Sequence, residues 1–163
     1  MKRTMILVTV CLLAATAAFP QNGDPAEVER PTSAILFNPA NALLGLFGGI
    51  VAMDAEFQTA LSDHFVLVAT PGIGYIPLFN VMLWSIEVGA QFMPMGRGLD
   101  GFFITLQPGI GGAGSFVGFT ASAVLGYQWL FDTGFVFSLG AGARYTSTTG
   151  IGPRIKVALG FGL

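Results

Sequence analysis

The chain has 163 residues, of which 53% are hydrophobic and only 10% charged, with a formal net charge of −2. A soluble domain typically carries about 25% charged residues, and intrinsic disorder requires low hydrophobicity with high charge, so disorder is excluded. The composition also argues against nucleic-acid binding, which needs a basic surface. The single cysteine excludes a disulfide framework and a multi-cysteine zinc site.

The N-terminal 18 residues have the order of a secretory signal peptide. A basic start at residues 1–4 precedes an apolar run at 5–14 and a small-x-small cleavage pattern at Ala15–Ala17. The apolar run is shorter than a helix that spans a bilayer, so we predict export with removal of residues 1–18. Residues 19–32 contain three prolines and four charged side chains, and we predict that they form a flexible lead-in.

From residue 33 onward the apolar residues recur with a period of two, which is typical of β-strands and not of helices. Four segments show the alternation most clearly: Val81–Phe92, Val117–Trp129, Phe135–Tyr145 and Ile155–Leu163. Three further segments show it with lower contrast: 47–58, 65–75 and 102–107. Alternation fits a soluble sheet as well as a membrane barrel, so a second property of the strands must decide between them.

The placement of the charged side chains is that second property. Six charged residues fall on the predicted strands, and all lie on the face of small and polar residues: Asp54, Glu56, Glu87, Arg144, Arg154 and Lys156. Soluble barrels and sandwiches have the opposite arrangement, with charges outside and apolar side chains inside. An apolar outer face and a small, polar inner face are expected where the outside meets lipid. We therefore predict an all-β fold, an antiparallel up-and-down transmembrane β-barrel over residues 33–163.

Seven alternating segments are clear, whereas single-chain bacterial barrels have even strand counts. Ser33–Asn38, followed by a turn at 38–41, supplies an eighth strand, and we predict eight. The alternative is seven strands with a kink in one long first strand. The glycines of residues 109–114 are predicted to form a flexible outer loop.

Aromatic residues gather at two levels of the predicted barrel, as expected at the two interfaces of a membrane. The first level holds Phe57, Phe65, Phe92, Phe102, Trp129, Phe131, Phe135 and Phe161. The second level holds Tyr75, Trp84, Phe116 and Tyr145. The alternative explanation is the general preference of aromatic residues for strands.

The six inward charges comprise three carboxylates and three cations. An eight-stranded barrel is filled by its own side chains, and charges in such an interior must pair to offset the loss of hydration. We predict that Asp54, Glu56, Glu87, Arg144, Arg154 and Lys156 form a structural ion-pair network. A proton or ion relay is the alternative.

The C-terminal segment Arg154–Leu163 alternates strictly, and Ala60–Phe65 contains an acidic turn between two strands. In these features the chain resembles the small outer-membrane β-barrel proteins of diderm bacteria, of the OmpA transmembrane-domain and OmpX kind. The resemblance implies that the last strand is an assembly signal read by the barrel-assembly machinery, through Ile155, Val157, Leu159, Phe161 and Leu163. Members of this family usually end in an aromatic residue, whereas this chain ends in Leu163.

The expected function is a structural or interaction role in the outer membrane of a diderm bacterium, without catalysis. The single histidine, His64, lies in a turn, where neighbouring Ser62 and Asp63 do not make a catalytic triad. No catalytic, cofactor or metal site is predicted, and the expected partners are outer-membrane lipid and the assembly machinery, not nucleic acid. Two alternatives remain: a narrow channel for small solutes, and a soluble periplasmic barrel that carries a small hydrophobic ligand.

Overall fold

Eight strands alternate in direction along the chain in the computed structural model, which describes residues 30–39, 51–147 and 150–163. They are β1 (Ser33–Asn38), β2 (Val51–Ala60), β3 (Phe65–Ile76), β4 (Val81–Phe92), β5 (Gly101–Ala113), β6 (Phe116–Leu130), β7 (Phe135–Thr146) and β8 (Gly150–Gly162). A short 3-10 helix, Pro77–Phe79, joins β3 to β4. Each strand pairs antiparallel with the next, and β1 pairs with β8 to close the barrel. The predicted eight-stranded, up-and-down antiparallel barrel is confirmed.

The period of two residues separates an inner from an outer face on every strand. In β3, for example, Val66, Val68 and Thr70 are buried, whereas Phe65 and Leu67 are exposed. The six charged strand residues all take the parity of the inner face. No helix in the described part of the chain is long and apolar enough to cross a membrane.

The barrel has two chemically different ends. The charged end consists of the turns after β2, β4 and β6 (residues 61–64, 93–100 and 131–134), where β1 begins and β8 ends. It carries Asp63, Arg97, Asp100 and Asp132. The uncharged end consists of the turns after β1, β3, β5 and β7, of which residues 39, 77–80, 114–115 and 147 are described.

Two predicted boundaries are wrong at the uncharged end. The glycines of 109–113 do not form a loop, because β5 continues through them to Ala113 and pairs with both neighbours. Strand β8 begins at Gly150, earlier than predicted, and pairs there with Thr146. At Gly109 a Cβ would lie 2.7 Å from Glu87 Cγ, so the absence of a side chain is what lets β4 approach. The predicted signal peptide, residues 47–50 and the end of the turn at 40–41 lie outside the described residues, as does the lead-in up to residue 29.

The interior holds an apolar layer that alternation did not predict. The buried apolar side chains are Ala34, Leu36, Val66, Val68, Met93, Leu99, Phe103, Val124, Val136 and Ala158. Met93 and Leu99 come from the turn after β4, which lies against the turn after β2 through Met93 N–His64 O (2.9 Å) and Gly98 N–Asp63 O (3.1 Å). With this turn anchored at the charged end, apolar side chains fill the space beneath it, and their burial stabilises the fold.

Aromatic rings near the charged end form contacts along the outside of the wall. Tyr127 and Trp129 have ring centroids 4.7 Å apart, and Trp129 stacks on Phe137 at 5.3 Å. Phe135 contacts Phe161 edge-on at 5.7 Å. Of the predicted aromatic level, Trp129, Phe135 and Phe161 therefore take part in ring contacts, in one group across β6 and β7 and another across β7 and β8.

The Phe103 ring occupies the space left by two inward glycines, so we expect Gly126→Ala to lower the free energy of unfolding by about 1–3 kcal/mol. The added methyl would overlap the carbonyl oxygen of Leu139 on β7, and it would lie 2.6 Å from Gly140 Cα and 2.8 Å from Phe103 Cζ. The matched control is Gly152→Ala, an inward glycine whose added methyl meets nothing within 4 Å. Denaturant titration followed by circular dichroism measures both variants, and equal midpoints would contradict the packing argument.

Candidate functional site: the polar interior

Glu87 is the centre of the ion pairs in the barrel interior. Its Oε1 lies 2.8 Å from Arg144 Nε, and its Oε2 forms a close ion pair with Arg154. The Ser122 hydroxyl donates to Oε2 at 3.0 Å. The Arg144 Nε–H does not point at Oε1, so that contact is an ion pair without an aligned hydrogen bond. Glu87 is fully buried, and its charge is compensated from two other strands.

A second ion pair joins Glu56 on β2 to Lys156 on β8. Lys156 Nζ lies 2.6 Å from Glu56 Oε1, and both side chains are buried. The same ammonium group lies 4.7 Å from the centroid of the Phe103 ring, which is within the range of a cation–π interaction. This pair therefore stands where the polar part of the interior meets the apolar layer.

Two glutamines extend the second pair to the charged end of the barrel. Gln58 Nε2 donates to Glu56 Oε1 at 2.6 Å, and Gln58 and Gln128 exchange amide hydrogen bonds at 2.8 and 3.0 Å. Gln128 Nε2 also donates to the carbonyl of Leu99, at 2.8 Å. A continuous series of contacts thus links Lys156 to the turn after β4, and each member is buried or borders the buried core.

The structure brings five of the six predicted charges into direct ion pairs: Glu56, Glu87, Arg144, Arg154 and Lys156. The sixth, Asp54, lines the same gap in the interior as Glu56, Arg154 and Lys156, and it too makes a polar interaction. The gap has a volume of about 10 Å³, which is the space of roughly one water molecule. Side chains therefore fill the barrel at this level.

The alternation in the sequence assigns the polar partners of the charged groups to the inner face, but it does not predict the hydrogen bonds that they make. Gln58, Gln128 and Ser122 have the parity of that face, and the contacts that they make depend on strands far apart in the chain. The same is true of Gln107 Nε2, which donates to Thr70 Oγ1 at 2.8 Å. Alternation gives the face of a residue but neither its height in the barrel nor its partner across it.

His64 lies in the turn after β2, as predicted. Its Nδ1 is 3.1 Å from the Met93 carbonyl. The Ser62 hydroxyl accepts hydrogen bonds from the backbone N–H groups of His64 and Phe65, at 3.3 and 3.2 Å. Ser62 is therefore oriented as a turn-forming side chain, and it does not face the imidazole as a nucleophile would.

Removing the central carboxylate should destabilise the barrel more than any other single change in this network. We expect Glu87→Gln to cost about 3–5 kcal/mol, because it leaves the Arg144 and Arg154 charges without their buried partner. Arg154→Gln should cost more than Arg144→Gln, since the Arg154 side chain is 10% exposed and that of Arg144 30%. Denaturant midpoints measure the three variants, with Arg97→Gln in an exposed turn as the control. Equal losses for Arg154 and Arg144 would refute this ranking.

Among the described residues, no group of three or more histidine, cysteine, aspartate or glutamate side chains is placed to hold a metal ion. Compared with protein families, curated proteins and solved structures, the chain matches none. The resemblance to barrels of the OmpA and OmpX kind therefore stays a prediction from the sequence.

Proposed function

We propose that the chain is a small membrane-spanning barrel of a bacterial outer membrane, with a structural or interaction role and no catalysis. One observation carries the proposal: the exposed outer face of the closed barrel is large and apolar, whereas all six charged strand residues take the inner parity. Exposed large apolar side chains occur on every strand, and on the short β1 this residue is Phe37. Water outside a barrel favours charged side chains on the outer face, whereas lipid outside it favours an apolar outer face with the charges inside.

The outer membrane is proposed because closed antiparallel barrels are the membrane structures of that compartment. The predicted signal peptide supports export of the chain. The alternating residues of β8, Ile155, Val157, Leu159 and Phe161, together with Leu163, are the proposed signal for the assembly machinery. They take the outer parity of that strand, where a partner approaching from the membrane could contact them.

A single substitution on the wall distinguishes lipid from water outside the barrel. Leu106 lies at the middle of β5 and is 60% exposed. We expect Leu106→Arg to cost about 2–4 kcal/mol, because an arginine near the midplane of a bilayer is destabilising by that amount. On a water-exposed surface the same change usually stays within about 0.5 kcal/mol.

Membrane fractionation and the difference in gel mobility between unboiled and boiled samples measure this effect. The wild-type chain should fractionate with the outer membrane and migrate differently when unboiled, and Leu106→Arg should reduce the folded band. Met95→Arg is the matched control, since Met95 is 87% exposed in the turn after β4. A chain that stays soluble without detergent and tolerates both substitutions would refute the membrane proposal and favour the soluble carrier.

A conductance measurement separates the structural role from the narrow channel. We expect no stable conductance steps in a planar bilayer, because the interior gap between the two ion pairs is about 10 Å³ and the turn after β4 inserts Met93 and Leu99. A porin of 16–18 strands, which encloses an aqueous channel, is the positive control in the same bilayer. Conductance steps whose size changes in the Glu87→Gln variant would instead establish that ions pass along the ion pairs.

A further inference from the structure

The four charged turn residues of the barrel all lie at one end. Asp63, Arg97, Asp100 and Asp132 belong to the charged end, and the described turns of the other end have no charged residue. The sequence adds none between residues 39 and 50 or at 148–149. The turns of an ordinary barrel meet water on both sides of the membrane, so this asymmetry needs a physical cause.

The uncharged end also exposes large apolar side chains, in the turn after β3 and at the first residues of β6 and β8. We call these residues the apolar rim: Leu78, Phe79, Phe116, Val117 and Ile151. Leu78 is 84% exposed and Ile151 79%. Leu78 and Phe79 lie in the turn after β3, Phe116 and Val117 begin β6, and Ile151 is the second residue of β8, so the rim residues stand beside three different turns. Exposed large apolar side chains grouped at one end mark a contact with something other than water.

The described turns after β3 and β5 are too short to carry their rim residues far from the wall. Phe116 pairs with Ala113 across a two-residue turn, in which Gly114 has a φ of +58°. The turn after β3 is a single 3-10 helix, held by the Tyr75 hydroxyl, which donates to Asn80 Oδ1 at 2.8 Å. Leu78 is three residues beyond Tyr75 and therefore no more than about 10 Å past it.

We propose that the uncharged end lies inside the membrane, where acyl chains meet headgroups, and that lipid covers the apolar rim. This inference rests on the proposed membrane location. The interfacial layer on each side of a bilayer is about 5–8 Å thick, which matches the short reach of these turns. Tyr145 pairs with Ile151 of the rim, and Tyr75 pairs with Met82 just below the turn after β3. Aromatic residues prefer the interfacial level of a membrane.

Lipid fits this surface better than a protein partner does. The rim is continuous with the apolar outer wall through Met82 and Tyr75, which pair directly beneath the turn after β3. It surrounds a mouth whose inner side carries Arg144 and Thr146. A protein cap would have to cover those polar groups as well, whereas lipid can cover the apolar rim and leave the mouth open. The described rim also offers no charge with which a protein could align.

Site-directed spin labelling tests this directly, because the only cysteine is Cys11, in the predicted signal peptide. Single variants Leu78→Cys, Val117→Cys and Ile151→Cys place a nitroxide on the rim of the mature chain in lipid vesicles. Leu106→Cys reports the middle of the wall, and Asp132→Cys reports the charged end. The measurement is the collision rate of each nitroxide with oxygen, which concentrates in hydrocarbon, and with a water-soluble nickel chelate.

If lipid covers the rim, the ratio of the oxygen collision rate to the nickel collision rate at the rim labels should approach the ratio at Leu106→Cys. It should also exceed the ratio at Asp132→Cys. A different result would be that the rim labels collide with nickel as often as the Asp132→Cys label does, while the Leu106→Cys label is shielded from nickel. This result would overturn the inference and leave the membrane location intact. Rim labels shielded from both reagents would indicate a protein cover, such as a second copy, and would also overturn it. A Leu106→Cys label open to nickel would refute the membrane location itself.

Discussion

The pairing of charges across the barrel interior is the constraint on which the rest of the structure depends. Glu87 on β4 reaches Arg154 on β8, and Gln58 on β2 reaches Gln128 on β6. In a ring of eight strands these are diametrically opposite positions. Such contacts exist only when the ring is closed and in register, so they connect opposite walls in a way that the hydrogen bonds between neighbouring strands cannot. A buried charge without its partner is costly, and the network therefore disfavours any arrangement in which the ring is open or shifted.

Long side chains that cross the interior require small residues on the walls they approach. Phe103 demonstrates this, because its ring ends against Gly126 on β6 and Gly140 on β7. The lysine over the same ring then completes the link between the apolar layer and the charged layer. The high glycine content is thus part of the packing of a narrow barrel, and it is concentrated on the inner face for a steric reason.

Sequence alternation predicted seven of the eight strands and the inner parity of all six charges, and the even strand count of single-chain barrels supplied the eighth strand, Ser33–Asn38. It was insufficient for β5, where the glycines of 109–113 suggested a loop, because glycine has a low intrinsic strand preference and the favourable close approach of β4 is a tertiary effect. It also missed Met93 and Leu99, which enter the interior from a turn and therefore have no strand parity. The individual ion pairs could not be predicted either, since the partner of Glu87 depends on how far each strand is staggered around the ring.

The charges of the interior are engaged with one another, and this determines where the protein can interact. Glu87 contacts two arginines and a serine, and Glu56 contacts a lysine and a glutamine. A solute at these groups would have to replace contacts that already compensate buried charge, which is unfavourable unless it supplies equal ones. Among the described residues, the exposed charges of the charged end, Arg97 and Asp132, take no part in these ion pairs. Interaction is therefore expected on the outside of the molecule, where the apolar wall and the uncharged end offer one kind of surface and the charged end offers another.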